Sequence, residues 1–361
     1  MKKEIKCCKK IVLTGGGTGG HVIPNLSLVP LLRKHFDKII YIGSCGIEKE
    51  LTKGIVDEFF EVPVCKFRRD NILANFSIPF KLAKSVHMCK RLLKKLQPDI
   101  IFSKGGYVAV PVCIAGKMCH IKLVGHESDL TLGKANKLIY KLSNKFCTTF
   151  EKTSENLKKG VFTGSPIRGK LFLGRKESGY KMTGFDGTRK IVLFTGGSTG
   201  AKGLNDVVFD SLKQLTKKYD IIHLVGKGKG NDISMPHYYQ SEFCKDIQDL
   251  FAISNIVVSR AGSNAIYELL ALNKPMILVP LPKGNSRGDQ IENAEYFTKK
   301  GYATTILQED LNEKKLVQEI DKVIAQEQKI VSKLKSLPKD ELINGAKNIV
   351  KVILDTKNTQ G

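Results

Sequence analysis

Apolar residues along the chain fall into short unbroken runs, separated by longer segments in which they recur every three or four positions. Unbroken runs are the pattern of strands buried on both faces, and the longer periodic segments that of helices. The first run, Ile11-Val12-Leu13, ends in Thr14-Gly15-Gly16 and returns as Ile191-Val192-Leu193-Phe194, ending in Thr195-Gly196-Gly197. After the first copy come Lys38–Gly43, Asp99–Ser103 and Lys122–Gly125; after the second come Ile221–Gly226, Ile256–Ser259 and Pro275–Pro280. Strands alternating with helix-length segments predict parallel sheets covered by helices.

The echo therefore predicts two similar α/β domains in tandem. The expected division is residues 1–168, a linker at 169–188, a second domain at 189–339, and a terminal segment at 340–361. Residues 169–188 are assigned to the linker because they are rich in Gly, Lys and Ser and lack apolar periodicity. Near the end, Ile343, Ala346, Val350 and Ile353 share one helical face, so a packed helix is expected there.

A chain of 361 residues accommodates two cores. Charge changes the picture more than length does: 59 Lys and Arg against 35 Asp and Glu leave a net +24, which favours anionic partners. Nucleic acid is not expected, since no recognised motif appears, tryptophan is absent, and aromatics are not interleaved with the basic clusters. The nine cysteines lack zinc-like spacing and fit a reducing compartment. The start, MKKEIKCCKK, leads straight into a strand and glycines, so it does not read as a signal peptide. No stretch reaches the ~18 apolar residues of a membrane span.

Glycines after a strand let the backbone approach a phosphate, whose charge is met by N–H groups at the start of the next helix. Gly15-Gly16-Gly17-Thr18-Gly19-Gly20 satisfies GxGxxG, yet the second strand ends Ile42-Gly43-Ser44, without the acid that holds a dinucleotide ribose. Gly196-Gly197-Ser198-Thr199-Gly200-Ala201-Lys202-Gly203 lacks the GK[ST] ending of a P-loop. A third loop, Gly105-Gly106-Tyr107, also follows a strand. Three such loops favour binding of a phosphate or a sugar.

Several motifs occur in a distinctive order: GGGTGGHV at 15–22, Lys104-Gly105-Gly106-Tyr107, His126-Glu127, Gly164-Ser165-Pro166-Ile167-Arg168, Gly196–Gly200, Ser259-Arg260-Ala261-Gly262-Ser263 running to Glu268, and Asp289-Gln290 before Asn293-Ala294. In this order they resemble the peptidoglycan N-acetylglucosaminyltransferases that convert lipid I to lipid II, over roughly residues 9 to 355. The resemblance implies the GT-B arrangement of two Rossmann-like domains facing across a cleft. It implies UDP-N-acetylglucosamine as donor, lipid I as acceptor, the cytoplasmic face of the cell membrane as location, and a final helix returning to the N-terminal domain.

Carried over by position, the resemblance places Ser198 near the donor phosphates and makes Arg168 the donor-site arginine. Glu268 is the acid for the uridine ribose, preceded in its loop by Ser263 and Asn264. Gln290 matches a contact to the donor sugar, while Thr18, Gly19 and Gly20 match an N-domain loop touching the donor. Cys244 lies in the stretch aligned with uracil contacts. Two positions depart from the family pattern. Asp129 stands where many members have Asn, and Asp289 precedes Gln290 where many have paired glutamines; both bear on the sugar.

Transfer from a UDP-sugar needs a base for the acceptor hydroxyl and stabilisation of the departing diphosphate. His21, beside a helix start whose dipole favours neutral imidazole, is a candidate base or a residue shaping its loop. His126 and Glu127 form a competing pair. The sequence has no DxD carboxylate pair, so neither a catalytic metal nor a cofactor is expected.

Between Lys66 and Leu96 lie nine Lys or Arg and one acid, Asp70. Leu82, Val86, Cys89, Leu93 and Leu96 form a helical stripe expected to pack on the sheet. Ahead of it, Ile72, Leu73, Phe76 and Phe80 sit beside Arg68 and Arg69, a combination suited to an anionic membrane surface. The alternative is a loop folded onto its own domain. Competing functions are a related transferase acting on a diacylglycerol-type lipid, a fold of this kind without activity, and a non-catalytic basic binding protein.

Overall fold

Strands form where uninterrupted apolar runs can be buried on both faces, and the computed structural model of the protein shows two such sheets. It describes residues 8–64, 77–197, 199–284 and 287–359, with the side chains of 340 and 341 excepted. The chain divides into residues 1–167 with 343–361, and residues 168–342.

In the first unit the strands are β1 (Lys10–Thr14), β2 (Lys38–Gly43), β3 (Glu58–Glu61), β4 (Ile100–Ser103), β5 (Lys122–Glu127), β6 (Lys145–Thr148) and β7 (Gly160–Phe162). All pair in parallel, in the order β3-β2-β1-β4-β5-β6-β7. Helices α1 (Gly19–Leu32), α2 (Ile47–Thr52), α3 (Ile78–Leu96), α4 (Val110–Met118), α5 (Lys134–Leu142) and α6 (Glu151–Glu155) connect them. Sequence order reverses between β1 and β4, so the crevice at their carboxyl ends is the binding position of an open α/β sheet.

The second unit repeats this plan. Its strands are β8 (Ile191–Thr195), β9 (Asp220–Leu224), β10 (Tyr238–Ser241), β11 (Ile256–Ser259), β12 (Met276–Leu278) and β13 (Thr304–Thr305), again parallel, ordered β10-β9-β8-β11-β12-β13. Its helices are α7 (Lys176–Thr183), α8 (Lys202–Lys218), α9 (Ile247–Ile253), α10 (Ser263–Ala271), α11 (Asp289–Lys299), α12 (Glu313–Ala325), α13 (Glu327–Lys335) and α14 (Lys339–Ile343). Here the order reverses between β8 and β11.

The final helix, α15 (Gly345–Asn358), packs in the first unit, where Ala346, Ile349, Val350 and Ile353 join the core built on Leu28, Leu32 and Phe102. Each large apolar side chain buried there contributes roughly 1.5–3 kcal/mol, which binds the chain terminus to the first sheet. Asn348 Nδ2 also donates to the Thr163 carbonyl at 3.1 Å.

Three expectations need correction. Residues 169–188 are not an extended linker: a 3-10 turn (Gly169–Leu173) and α7 occupy them, and both pack on α9. Close approach replaces apolar periodicity, because a Cβ at Gly174 would lie 2.2 Å from the Gln248 carbonyl oxygen and one at Gly179 2.5 Å from that of Asp249. Arg168 begins the second unit instead of closing the first, and residues 340–342 also belong to the second. On α3 the correction is confined to Leu82, which is only half-buried. Cys89, Leu93 and Leu96 are buried in one core with Ile40, Ile42 and Ile101 of the sheet, and Val86 packs against it. Ser85 joins the buried positions, and the helix also packs on α4. Ser85 can be buried because its hydroxyl donates to the carbonyls of Pro63 and Lys81.

Candidate active site

The first crevice is built by two glycine turns pressed against each other. Gly106, at φ +83°, would place a Cβ 2.5 Å from the Gly16 carbonyl oxygen, so only glycine fits. Beneath the first turn, Tyr41 donates to the Gly15 carbonyl at 2.7 Å, and Asn25 Nδ2 donates to that of Thr14 at 3.1 Å. The fully buried Glu48 accepts from the Gly17 amide at 2.6 Å through Oε1 and from the Ser44 hydroxyl at 3.1 Å through Oε2.

Thr18 precedes α1, and Gly19, Gly20 and His21 form its first turn. Thr18 and Gly20 are exposed and His21 is half-buried, with His21 Nδ1 3.0 Å from Thr18 Oγ1. The carboxyl end of β5 presents different groups. His126 is fully buried, with Nδ1 2.8 Å from Lys104 Nζ. An ammonium at that distance donates to Nδ1, so the imidazole is neutral and carries its proton on Nε2. Burial, then the adjacent Lys104 charge, hold the His126 pKa well below the usual imidazole value.

Lys104 is itself 1% exposed, and its ammonium also contacts the Ser128 hydroxyl. Burial pushes its pKa down to about 8, against the opposing charges of Glu127 and Asp129. Glu127 turns inward. Oε1 accepts from the amides of Ser128 and Asp129 at 2.9 and 3.1 Å, and Oε2 from the Gly133 amide and Asn136 Nδ2 at 3.0 and 2.9 Å. Its carboxylate thus organises the loop from 128 to 133, and Asp129 is oriented by it. His126 is 0% and Glu127 4% exposed, so both are enclosed beneath the loop they support.

In the second unit, the turn after β8 meets the turn after β9. A Cβ at Gly200, φ +66°, would lie 1.9 Å from the Val225 carbonyl oxygen. Ser198 lies outside the described residues. Beside this turn, β11 leads through Gly262 into α10, which starts at Ser263 and Asn264, at the carboxyl end of the sheet. Glu268, one turn further along α10, accepts from Arg168 at two points: Nε to Oε1 at 3.1 Å and an Nη to Oε2 at 3.2 Å. The Glu268 side chain is 17% exposed and that of Arg168 36%. Burial raises the Glu268 pKa, and Arg168 opposes that shift without cancelling it.

Gln290, in the first turn of α11, accepts from the Leu281 amide at 3.1 Å. Its neighbour Asp289 lies 3.5 Å from Arg287 Nε. Cys244 follows β10 at the sheet edge, with Sγ 3.7 Å from Met182 Sδ. The structure therefore joins Arg168 to Glu268 and gathers Ser263 and Asn264 beside them, while Cys244 stands in a separate loop.

Sequence reasoning named Lys104 and Arg260 only as members of motifs, without a role, and did not single out Glu48 or Asn136. Charged residues at strand ends read as surface. Arg260 instead donates to the Val279 carbonyl at 3.0 Å and to Gln308 Oε1 at 2.7 Å, tying the loop after β12 to that after β11. Lys104 and Arg260 carried a signal, because each immediately follows a strand within a glycine-containing motif.

Residues 11–148 match the glycosyltransferase family 28 N-terminal domain, and residues 191–353 the glycosyltransferase family 28 C-terminal domain. A protein of Lachnospira eligens named UDP-N-acetylglucosamine–N-acetylmuramyl-(pentapeptide) pyrophosphoryl-undecaprenol N-acetylglucosamine transferase is 44% identical over 349 residues, covering 95% of this chain and 99% of the relative. A Clostridium tetani protein of the same name is 44% identical over 351 residues, 96% of this chain and 97% of its own. Among solved structures, Acinetobacter baumannii MurG superposes with a TM-score of 0.74 at 21% identity, covering 96% of this chain and 99% of that one.

Proposed function

Because the chain belongs to glycosyltransferase family 28, we propose that it transfers N-acetylglucosamine from UDP-N-acetylglucosamine to the C4 hydroxyl of lipid I, with inversion, forming lipid II for peptidoglycan synthesis. The structural observation that supports this reading most strongly is the doubled design: at the carboxyl ends of both sheets glycine turns press backbone against backbone, after β1 and β4 in the first and after β8 and β9 in the second. Such turns present main-chain amides at a helix start, the arrangement suited to a diphosphate.

In the second unit the amides opening α10, at Ser263 and Asn264, together with Arg168, meet the diphosphate as negative charge develops on it. Glu268 accepts hydrogen bonds from the uridine ribose, and Gln290 contacts the donor sugar. The acceptor oxygen attacks the anomeric carbon as the bond from that carbon to the phosphate oxygen breaks. UDP departs with the bonding pair, and the acceptor proton passes to His21. The tautomer suited to this role is the one whose Nδ1–H donates to Thr18 Oγ1, 3.0 Å away, and whose lone pair lies on Nε2. His126 and Glu127 act as positioning residues for the loop from 128 to 133.

The enzyme meets its lipid acceptor as a peripheral protein on the cytoplasmic membrane face. Among the described residues, no helix is long and apolar enough to cross a membrane. Phe80, in the first turn of α3, is 80% exposed beside the exposed Lys81 and Lys84. An exposed aromatic among cations suits an anionic bilayer surface. Arg68, Arg69, Ile72, Leu73 and Phe76, expected in the same patch, lie outside the described residues.

The linkage of the product tests this reading. Incubation of the α-configured donor with a short-chain lipid I analogue, analysed by proton NMR, is expected to give a β-linked N-acetylglucosamine on C4. An α linkage, or glycosylation of a diacylglycerol offered in the same mixture in preference to lipid I, would overturn it.

A further inference from the structure

At the amino-terminal ends of β8, β11 and β12, opposite the glycine turns, the second unit encloses a pocket of about 620 Å³. The strands between the two edges are four or five residues long, about 15 Å, so the pocket is separate from the carboxyl-end crevice. Its wall carries five basic side chains, Lys176, Arg189, Lys190, Lys274 and Lys335, and a single carboxylate, Glu327.

Two of these cations are already answered. Lys190 pairs with Glu327 at 2.9 Å, and Arg189 is anchored to the Thr216 carbonyl at 2.7 Å with Asp220 3.9 Å away. Glu327 is further occupied by Asn255 Nδ2 at 2.8 Å. Lys176 and Lys335 form no ion pair among the described residues. Lys274 donates to the Ser254 carbonyl at 2.7 Å, which uses one of its three N–H bonds and none of its charge. Three ammonium groups, from α7, α13 and the turn before β12, thus line one concave, polar space whose single carboxylate, Glu327, is already engaged by Lys190 and Asn255.

We propose that this pocket is a binding site for a small soluble phosphorylated anion, distinct from the donor site. A phosphate group accepts several charge-assisted hydrogen bonds at once and neutralises more than one ammonium. The volume exceeds that of a single phosphate and suits a compound of diphosphate size or larger. Electrostatics in the empty pocket agree. Burial, then repulsion from Lys176, brings the Lys274 pKa down to about 8, with Glu327 opposing. The charged groups facing Lys274 are Lys176 on α7, Arg189 and Lys190 before β8, and Glu327 and Lys335 on α13. A bound anion favours the ammonium form of Lys274, so affinity falls as pH rises through about 8.

Calorimetric titration of the full chain with inorganic pyrophosphate, in the presence of saturating UDP, reads the site. One pyrophosphate is expected to bind beside UDP, with affinity falling about tenfold between pH 7 and pH 9. Lys274→Met and Lys335→Met are each expected to weaken it by about tenfold or more. Lys335 is exposed, so its substitution tests the site without risk to folding. Pyrophosphate that binds only without UDP, or with an affinity indifferent to Lys335→Met and Lys274→Met, would overturn the proposal. Failure of UDP itself to bind would count against the donor-site reading and leave the lysine dependence still decisive.

Discussion

Arg168 and Glu268 meet in a two-point contact, with Nε to Oε1 at 3.1 Å and an Nη to Oε2 at 3.2 Å. Both were expected at the donor site for separate reasons, and the pairing gives them a shared one. Burial favours the neutral acid at Glu268, and Arg168 opposes that shift, favouring the carboxylate. An ionised carboxylate is the stronger acceptor for ribose hydroxyls.

Glu268→Ala is therefore expected to weaken UDP binding by about tenfold to a hundredfold, measured by calorimetry. Stability should behave differently. The folded pKa of Glu268 is raised above 4.5, so the stability its protonated form contributes is present below that pH and lost as pH rises through the folded value. A neutral Gln avoids the burial cost that raises the Glu268 pKa, so Glu268→Gln is expected to cost no stability. Urea unfolding of Glu268→Gln at pH 7 should match the wild type while UDP affinity drops. A loss of stability comparable to the loss in binding would assign the pair a structural role instead.

The role of His21 is read from turnover. His21→Ala is expected to lower kcat by ~10²-fold or more with the fold intact by circular dichroism. Near-normal turnover would remove it from the role of base.

Lys104 is the most deeply buried Lys or Arg of the first unit among the described residues, and its pKa, down to about 8, fixes a pH dependence. The unfolded chain keeps its proton up to about pH 10.4, whereas the folded chain releases it earlier. Between those values the unfolded state binds more protons, so the wild type gains stability as pH rises from 8 towards 10. Lys104→Met lacks this gain. Unfolding midpoints of the two proteins at pH 7 and pH 9.5 should show the wild type improving relative to the variant; parallel pH profiles would contradict the buried-ammonium assignment.

Much of the architecture was legible in the sequence because buried parallel strands leave unbroken apolar runs. The echo of Ile11–Gly16 in Ile191–Gly197 marks the central strand of each sheet, β1 and β8. What was missed shares one physical cause, burial without hydrophobicity. Gly174 and Gly179 pack by backbone approach, so α7 and its preceding turn look like a linker. Ser85 satisfies its hydroxyl on two carbonyls, which adds a polar position to the buried stripe of Cys89, Leu93 and Leu96 on α3. Glu48 and Lys104 are charged yet enclosed, because the amide of Gly17 and the imidazole of His126 supply their partners. The first turn of α1 needed no structure to be found, since its glycines and His21 are contiguous in sequence.

Membrane attachment predicts that the full chain sediments with phosphatidylglycerol vesicles and not with neutral ones. At about 1 kcal/mol per basic residue, replacing both Arg68 and Arg69 by Gln should weaken binding by roughly thirtyfold. Phe80→Ser should weaken it further, as one exposed aromatic is withdrawn from the interface. Sedimentation indifferent to lipid charge and to these substitutions would sink the membrane patch.

Transfer of label from radiolabelled UDP-N-acetylglucosamine to a lipid I analogue by the purified chain is the most direct measurement, with UDP-glucose run beside it because of Asp129 and Asp289. The account predicts labelled lipid II analogue at a kcat/KM well above that with UDP-glucose. Folded, UDP-binding protein that labels no lipid I, or that prefers glucose, would contradict it.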